Sequence, residues 1–260
     1  MTCYLFFDID GTLVTEDGYC PSSAVDAIRS VRQTGGKTFI NTGRTAINVD
    51  ASLREIGFDG YIYGCGTEME LDGKTLFHVT QTKACCAKIV SLTRACDVAV
   101  LYEHSRGIFY DSKTRMLPGL ESLLDIYARK QTVCTDIVKK STWEMDKFVI
   151  WYDEKSDLLG FQTGIQSAFD FIDHGNGFAE MVPCGYSKAK AMAQLLTQFG
   201  AKREEVYAFG DSLNDRSMLE LAGTGVAMGD PSLLHPYADY ITAPLCADGL
   251  AKAMTHFGLI

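Results

Sequence analysis

Basic residues are the first shortage: 24 Lys and Arg stand against 33 Asp and Glu in 260 residues, a formal net charge of -9. Tight binding to nucleic acid or to an anionic membrane needs clustered cations, so neither is expected as a partner. The nine cysteines form an odd set without a CxxC pair, which argues against a disulfide framework or a compact zinc site and for reduced thiols in the core. No basic segment with a following apolar stretch opens the chain, and no run of about 18 apolar residues occurs. The expected location is therefore cytoplasmic. Only six prolines are scattered along the chain, with no internal repeat or low-complexity segment. His104 and His174 lack metal-ligand spacing, and Trp143 and Trp151 read as packing residues.

Apolar residues are plentiful at 47 %, enough for a packed core, and the length exceeds that of one average domain, so two modules are expected. Cys3 to Phe7 is a nearly continuous apolar run, the pattern of a strand buried on both faces of a parallel sheet, and it breaks at Asp8-Ile9-Asp10-Gly11. Pro21-Ser22-Ser23 opens a helix with Val25, Ile28 and Val31 on its apolar face, and Gly35-Gly36 stops it. Lys37 to Asn41 reads as a second strand ending at Thr42-Gly43-Arg44. A helix over Asn48 to Ile56 and a strand at Tyr61-Ile62-Tyr63 continue the rhythm of an α/β doubly wound parallel sheet, in which ligands bind at the carboxyl ends of the strands.

From Met69 to about His78 the pattern becomes a hairpin turning at Asp72-Gly73. Helical stretches near Ala84–Ala95, Leu120–Lys130 and Leu158–Ala168, mixed with strand-like runs, then suit an antiparallel α+β layer with helices on one face. After Pro183 the α/β rhythm returns, with a helix from Ser187 to Phe199, a strand at Val206–Phe209 and the polar turn Gly210-Asp211-Ser212. The expected division is a core of residues 1–80 and 184–260 interrupted by a cap domain at 81–183.

Asp8 and Asp10 follow a buried strand and would point to one side of an extended chain, with Gly11 free to turn beneath them. Alone, this pattern also fits an ordinary strand-end turn. A second acidic cluster, Asp211 to Asp215, also follows a buried strand, so its carboxylates should open on the same sheet edge. Like charges so close require a shared proton or a cation. A hard cation with oxygen ligands, Mg²⁺, suits them. Phosphate approaching such a site needs hydrogen-bond donors and positive charge. Thr42 with the Gly43 and Arg44 amides, and Lys188 near a helix start, are the candidates.

In this order, Asp8-Ile9-Asp10-Gly11-Thr12-Leu13, Thr42-Gly43-Arg44, Lys188 and Gly210-Asp211 through Asn214-Asp215 resemble the motifs of the haloacid dehalogenase-like (HAD) superfamily. The insertion is similar to the cap of its Cof-type subgroup (IIB), whose members mostly hydrolyse sugar phosphates and other small phosphomonoesters. Ala227-Met228-Gly229-Asp230 resembles a further segment of that subgroup. The resemblance implies a Rossmann-like core and a phosphatase acting on a small phosphorylated substrate. It makes Asp8 the nucleophile of an aspartyl-phosphate and Asp10 the acid and then the base. Thr42, Gly43, Arg44, Lys188 and Asn214 would bind the phosphoryl group, and Asp8, Asp10 (through its carbonyl), Asp211 and Asp215 would serve Mg²⁺.

Retention of an acid at Asp10 disfavours halide removal, which has no oxyanion leaving group to protonate. A phosphotransfer mutase shares the motifs, and a non-catalytic phosphate-binding or signalling module is the reading from another class. Asn41, Gly64-Cys65-Gly66, Ala189 and Asp230 depart from the usual pattern and flank the catalytic positions. The cap should decide specificity. Arg44, Arg115, Glu180 and Tyr186 are candidates there that also suit surface or packing roles. The protein is expected to be a monomer or weak homodimer.

Overall fold

In the computed structural model, which describes residues 2–260, the chain divides into two compact units. The first takes the chain up to Arg44, then Val49–Phe77 and Ser187–Ile260. His78–Tyr186 and the short stretch Thr45–Asn48 make up the second.

The first unit begins with β1 (Tyr4–Phe7), α1 (Ser22–Gln33), β2 (Lys37–Asn41), α2 (Ala51–Arg54), β3 (Gly60–Tyr63), β4 (Glu68–Leu71) and β5 (Lys74–His78). Every residue of β1 is buried, as expected of a strand covered on both faces. The hairpin turns at Asp72 and Gly73, with φ of 48° and 73°, the two positive values that a tight two-residue turn needs. Only four residues of the expected helix over Asn48–Ile56 form α2, because Ala46–Asn48 make a separate 3₁₀ turn ahead of Asp50.

The second unit follows with α3 (Lys83–Ala95), β6 (Ala99–His104), β7 (Gly107–Tyr110), α4 (Pro118–Arg129), β8 (Cys134–Asp136), β9 (Lys147–Trp151), α5 (Leu158–Ile165), β10 (Phe169–Gly175) and β11 (Phe178–Pro183). Its six-stranded sheet has the order β10-β11-β9-β6-β7-β8 and is antiparallel except where β7 meets β8. The expectation of helices on one face is corrected. Alternation along β6 sends Val100 and Tyr102, with Val98 just before the strand, to a core shared with α3 and α5, and Ala99 and Leu101 to a second core under α4. Both faces have apolar residues to bury, so each carries a helix. Strand β8 is too short for its periodicity to be read from sequence. Trp143 packs against Tyr102 and Trp151 against Phe178, at 4.8 and 5.2 Å between rings.

The chain returns to the first unit through α6 (Lys188–Phe199), β12 (Val206–Gly210), α7 (Arg216–Leu221), β13 (Thr224–Ala227), β14 (Tyr240–Ile241) and α8 (Gly249–His256). The eight-stranded sheet runs β14-β13-β12-β1-β2-β3-β4-β5, parallel from β14 to β3 and antiparallel at β3–β4. The chain therefore steps outward from β1 through β2 and β3, then from β12 through β13 to β14 on the other side. The switch point lies between β1 and β12, where α/β sheets open a crevice at their carboxyl ends. Tyr4 and Phe6 join one core with Phe39, Met192 and Leu195 from β2 and α6. Phe7, on the opposite face, stacks on Phe209 at 4.8 Å.

Among the described residues no helix is long and apolar enough to cross a membrane. The sequence boundaries at 80/81 and 183/184 differ by a few residues from the divisions at Phe77/His78 and Tyr186/Ser187. Thr45–Asn48 join the second unit, where Asn48 Nδ2 donates to Glu103 Oε1 at 3.1 Å, a contact that sequence adjacency does not reveal.

Phe6 is fully buried in the core that residues of α6 and α7 share with the sheet, and stacks on Phe39 at 4.8 Å. Phe6→Ala should lower unfolding stability by about 3–5 kcal/mol, read from the urea dependence of circular dichroism. A loss under about 1 kcal/mol would contradict this packing.

Candidate active site

Parallel pairing of β1 with β12 and β2 sets Phe7 beside Phe209 and Ile40, so that Asp8, Gly210 and Asn41 end neighbouring strands together. The Asp8 amide donates to the Phe209 carbonyl at 3.0 Å and prolongs the ladder by one bond. Gly11 takes φ of 75°, and a Cβ there would run into the carboxylate of Asp211. Glycine is thus required both for the turn and for the approach of the two acidic loops.

Lys188 sits at the first position of α6, whose start is capped by Ser187 Oγ accepting from the Lys190 amide at 3.2 Å. Its side chain is 1 % exposed, and Nζ donates to Asp8 Oδ1 and to Asp215 Oδ1, each at 2.6 Å. Burial opposes the charge on Lys188, but Asp215 and Asp8 outweigh that and hold its pKa well above the ordinary value. Asp215 is fully buried, and its second oxygen accepts from the amides of Asp211 and Ser212 at 3.1 and 3.3 Å.

Asp8, Asp211 and Asp215 bring carboxylate oxygens within 4.8 Å of one another. Burial and the Asp215 charge push the Asp8 carboxyl far up, and the same two causes push Asp211 up to about 7. Asp211 Oδ1 is buried without a hydrogen-bond partner. One lysine does not neutralise three carboxylates. An orphaned oxygen among all-oxygen donors fits a hard divalent cation.

Asp10 differs from this group. Its side chain is 62 % exposed and turned to Arg44, whose Nη2 and Nε donate to its two oxygens at 2.5 and 2.9 Å. Arg44 Nη1 also reaches Asp50 at 3.4 Å. The carboxylate of Asp10 is therefore outside the acidic trio expected to serve the metal. Thr42 is buried, with its hydroxyl accepting from the Arg44 amide at 3.1 Å, and Gly43 lies half-buried between them. Asn214 is half-buried, and its Oδ1 accepts from Ser212 Oγ at 2.9 Å.

Two supporting residues escaped the sequence. Asn41, seen only as a departure before Thr42, is fully buried and donates from Nδ2 to the Lys188 carbonyl at 3.1 Å. Ser232 donates from Oγ to the Asp211 carbonyl. A polar residue ending a buried strand was a signal for Asn41, whereas Ser232 lies in a loop without pattern. Of the proposed specificity residues, Glu180 is buried in an ion pair with Lys147, and Arg115 pairs with Asp153 and Asp97.

A profile of the haloacid dehalogenase-like hydrolases matches residues 5–254. The chain is 28 % identical over 259 residues to the HMP-PP phosphatase of Escherichia coli O157:H7, covering 96 % of this chain and 92 % of that one. Among solved structures it is similar to a HAD subclass IIB sugar phosphatase, with TM-score 0.82 and 27 % identity over 99 % of this chain and 100 % of the other. A phosphatase of the same superfamily from Bacteroides thetaiotaomicron aligns with TM-score 0.84 and 30 % identity, covering 100 % of this chain and 96 % of that one.

The raised Asp211 carboxyl makes cation binding compete with a proton. Because the cation takes the carboxylate forms of Asp211 and of Asp8, whose carboxyl is also pushed up, affinity for a divalent cation should fall at least about tenfold per pH unit below about 7. Calorimetric titrations of the whole protein across that range check this, and a flat profile would contradict it. In the cation-free chain the same group favours folding below its ordinary 3.8, a contribution lost as pH rises to about 7.

Proposed function

The chain belongs to the haloacid dehalogenase-like hydrolases and is a phosphatase of that family, and from that premise we propose that Asp8 attacks the phosphorus of a small phosphomonoester, with Mg²⁺ as cofactor. The carrying observation is the buried Lys188 ammonium at 2.6 Å from both Asp8 and Asp215. Donation to Oδ1 of Asp8 holds the carboxylate in one orientation and leaves Oδ2 as the attacking oxygen.

The bond from Asp8 Oδ2 to phosphorus forms as the bond to the leaving oxygen breaks, giving an aspartyl-phosphate. Asp10 donates a proton to the departing alkoxide and then takes one from the water that hydrolyses the intermediate, regenerating Asp8 and releasing phosphate. For this, Asp10 must exchange Arg44 for the substrate. The Arg44 guanidinium then becomes available to the phosphoryl oxygens, beside the Thr42 hydroxyl and the Gly43 amide. Lys188, itself almost wholly buried, offsets negative charge on Asp8 and on the transferred group.

Asp8 and Asp211, with the Asp10 carbonyl, would hold Mg²⁺, and Asp215 and Asn214 would support them. When bound, the cation supplies charge neutralisation at the phosphoryl oxygens. The substrate proposed is a sugar phosphate, supported by likeness to a subclass IIB sugar phosphatase. Likeness to an HMP-PP phosphatase marks other small phosphorylated compounds as competitors. A hydrolysis screen across sugar phosphates, nucleotides and phosphorylated cofactors decides, and preference for one of the last two classes would replace the sugar assignment.

Asp8→Asn should remove Mg²⁺-dependent hydrolysis of p-nitrophenyl phosphate, and equal turnover in both proteins would refute the nucleophile. Asp10→Asn should lower kcat for an alkyl phosphate by about 10²- to 10⁴-fold. p-Nitrophenyl phosphate, whose leaving group needs no proton, should suffer less in the first step. Equal losses on both substrates in single-turnover formation of the phosphoenzyme would refute the acid role.

A further inference from the structure

His78, His104 and Asp146 in the second unit each present a ligand atom within 4.8 Å of the others. The phosphatase chemistry uses none of them. They end or flank three strands: His78 closes β5, His104 closes β6, and Asp146 precedes β9. Antiparallel pairing of Glu103 with Lys147 sets His104 opposite Asp146, although their wide separation in sequence hid the relation. We propose that this cluster is a binding site for a divalent transition-metal ion, zinc by its donor chemistry, with Glu144 as a fourth ligand.

Two imidazoles with carboxylates suit zinc, whereas magnesium and calcium prefer oxygen alone. His104 is 4 % exposed, and its buried Nε2 has no hydrogen-bond partner. That nitrogen faces Asp146 Oδ1 at 3.7 Å and Glu144 Oε2 at 3.8 Å. These separations are too long for hydrogen bonds and near the roughly 3.4 Å between tetrahedral ligands of one zinc ion.

Asp146 is already oriented, since its oxygens accept from Thr80 Oγ1 at 3.0 Å and from the Ser105 amide at 2.8 Å. Such outer contacts fix metal ligands in place. His78 Nε2 donates to Asp146 Oδ2 at 2.8 Å, a hydrogen bond that the ion would replace. Glu144 is 54 % exposed in its side chain and free to swing inward.

One contact opposes the ion. The Arg106 amide donates to His104 Nδ1 at 3.0 Å, so the neutral ring carries its proton on Nε2. Coordination at Nε2 moves that proton to Nδ1 and turns the Arg106 amide away. Arg106 is exposed in the turn between β6 and β7, where water replaces the lost partner. Two hydrogen bonds, this one and that from His78 to Asp146, are exchanged for several metal bonds, and Arg106 becomes a reporter of occupancy.

The test uses the intact protein with its core site saturated by Mg²⁺. Zinc competed against a chromophoric chelator should show one equivalent per chain, and cobalt in its place should give the visible absorption of a tetrahedral centre. His78→Gln and His104→Gln should each weaken zinc about 100-fold or more, while Asp211→Asn leaves it unchanged. Glu144→Gln, at an exposed position that should not disturb folding, should alter the cobalt spectrum. Zinc should also shift the Arg106 amide resonance and speed its exchange. No zinc binding at micromolar concentration would overturn the proposal. So would binding undiminished in both histidine variants, or a cobalt spectrum unchanged in both His78→Gln and Glu144→Gln.

Discussion

Lys188 between Asp8 and Asp215 is the interaction around which the first unit's acidic loops are arranged. A buried ammonium is tolerable only when paired and hydrogen-bonded, and here two carboxylates meet it at 2.6 Å. Burial and the neighbouring Asp215 charge push the Asp8 carboxyl up, and Lys188 acts against both. The pairing remains incomplete because Asp211 adds charge and holds an unpartnered oxygen. That deficit suits the trio to the divalent cation proposed for it.

Backbone geometry turns this charge arrangement into a site. Asp8 and Asp211 follow adjacent parallel strands at the switch point, Gly11 admits the Asp211 carboxylate, and Ser187 caps the helix that starts with Lys188. Asn41 ties β2 to the first turn of α6 through the Lys188 carbonyl. Each contact restricts a rotamer or a loop before substrate arrives, and preorganised charge is worth most where water is excluded.

The second unit handles buried charge by the same rule. Lys147 lies between Glu103 and Glu180 on one face of the antiparallel sheet, with all three side chains almost wholly buried. Burial pushes the Glu103 carboxyl up, whereas Lys147 and His174 overcome burial at Glu180 and hold its pKa down. In the same unit the buried Nε2 of His104 lacks a hydrogen-bond partner, as Oδ1 of Asp211 does in the first.

The α/β rhythm was legible because buried parallel strands read as short apolar runs and the candidate site residues follow them directly: Asp8 after Phe7, Thr42 after Asn41, Asp211 after Gly210. Local signals also marked the Asp72-Gly73 turn and the start of α6. Strand β8 was too short to show a period, and helices on both faces of the second sheet depend on which core each alternate residue joins. The linear order thus determined residue types, strand ends and the candidate phosphate-handling groups, since these are local properties of spacing and polarity. Only the tertiary structure decided that Asp10 turns to Arg44, that Asn41 holds the Lys188 carbonyl and that His104 meets Asp146. Those outcomes depend on strand register and burial across long separations, which no local pattern encodes.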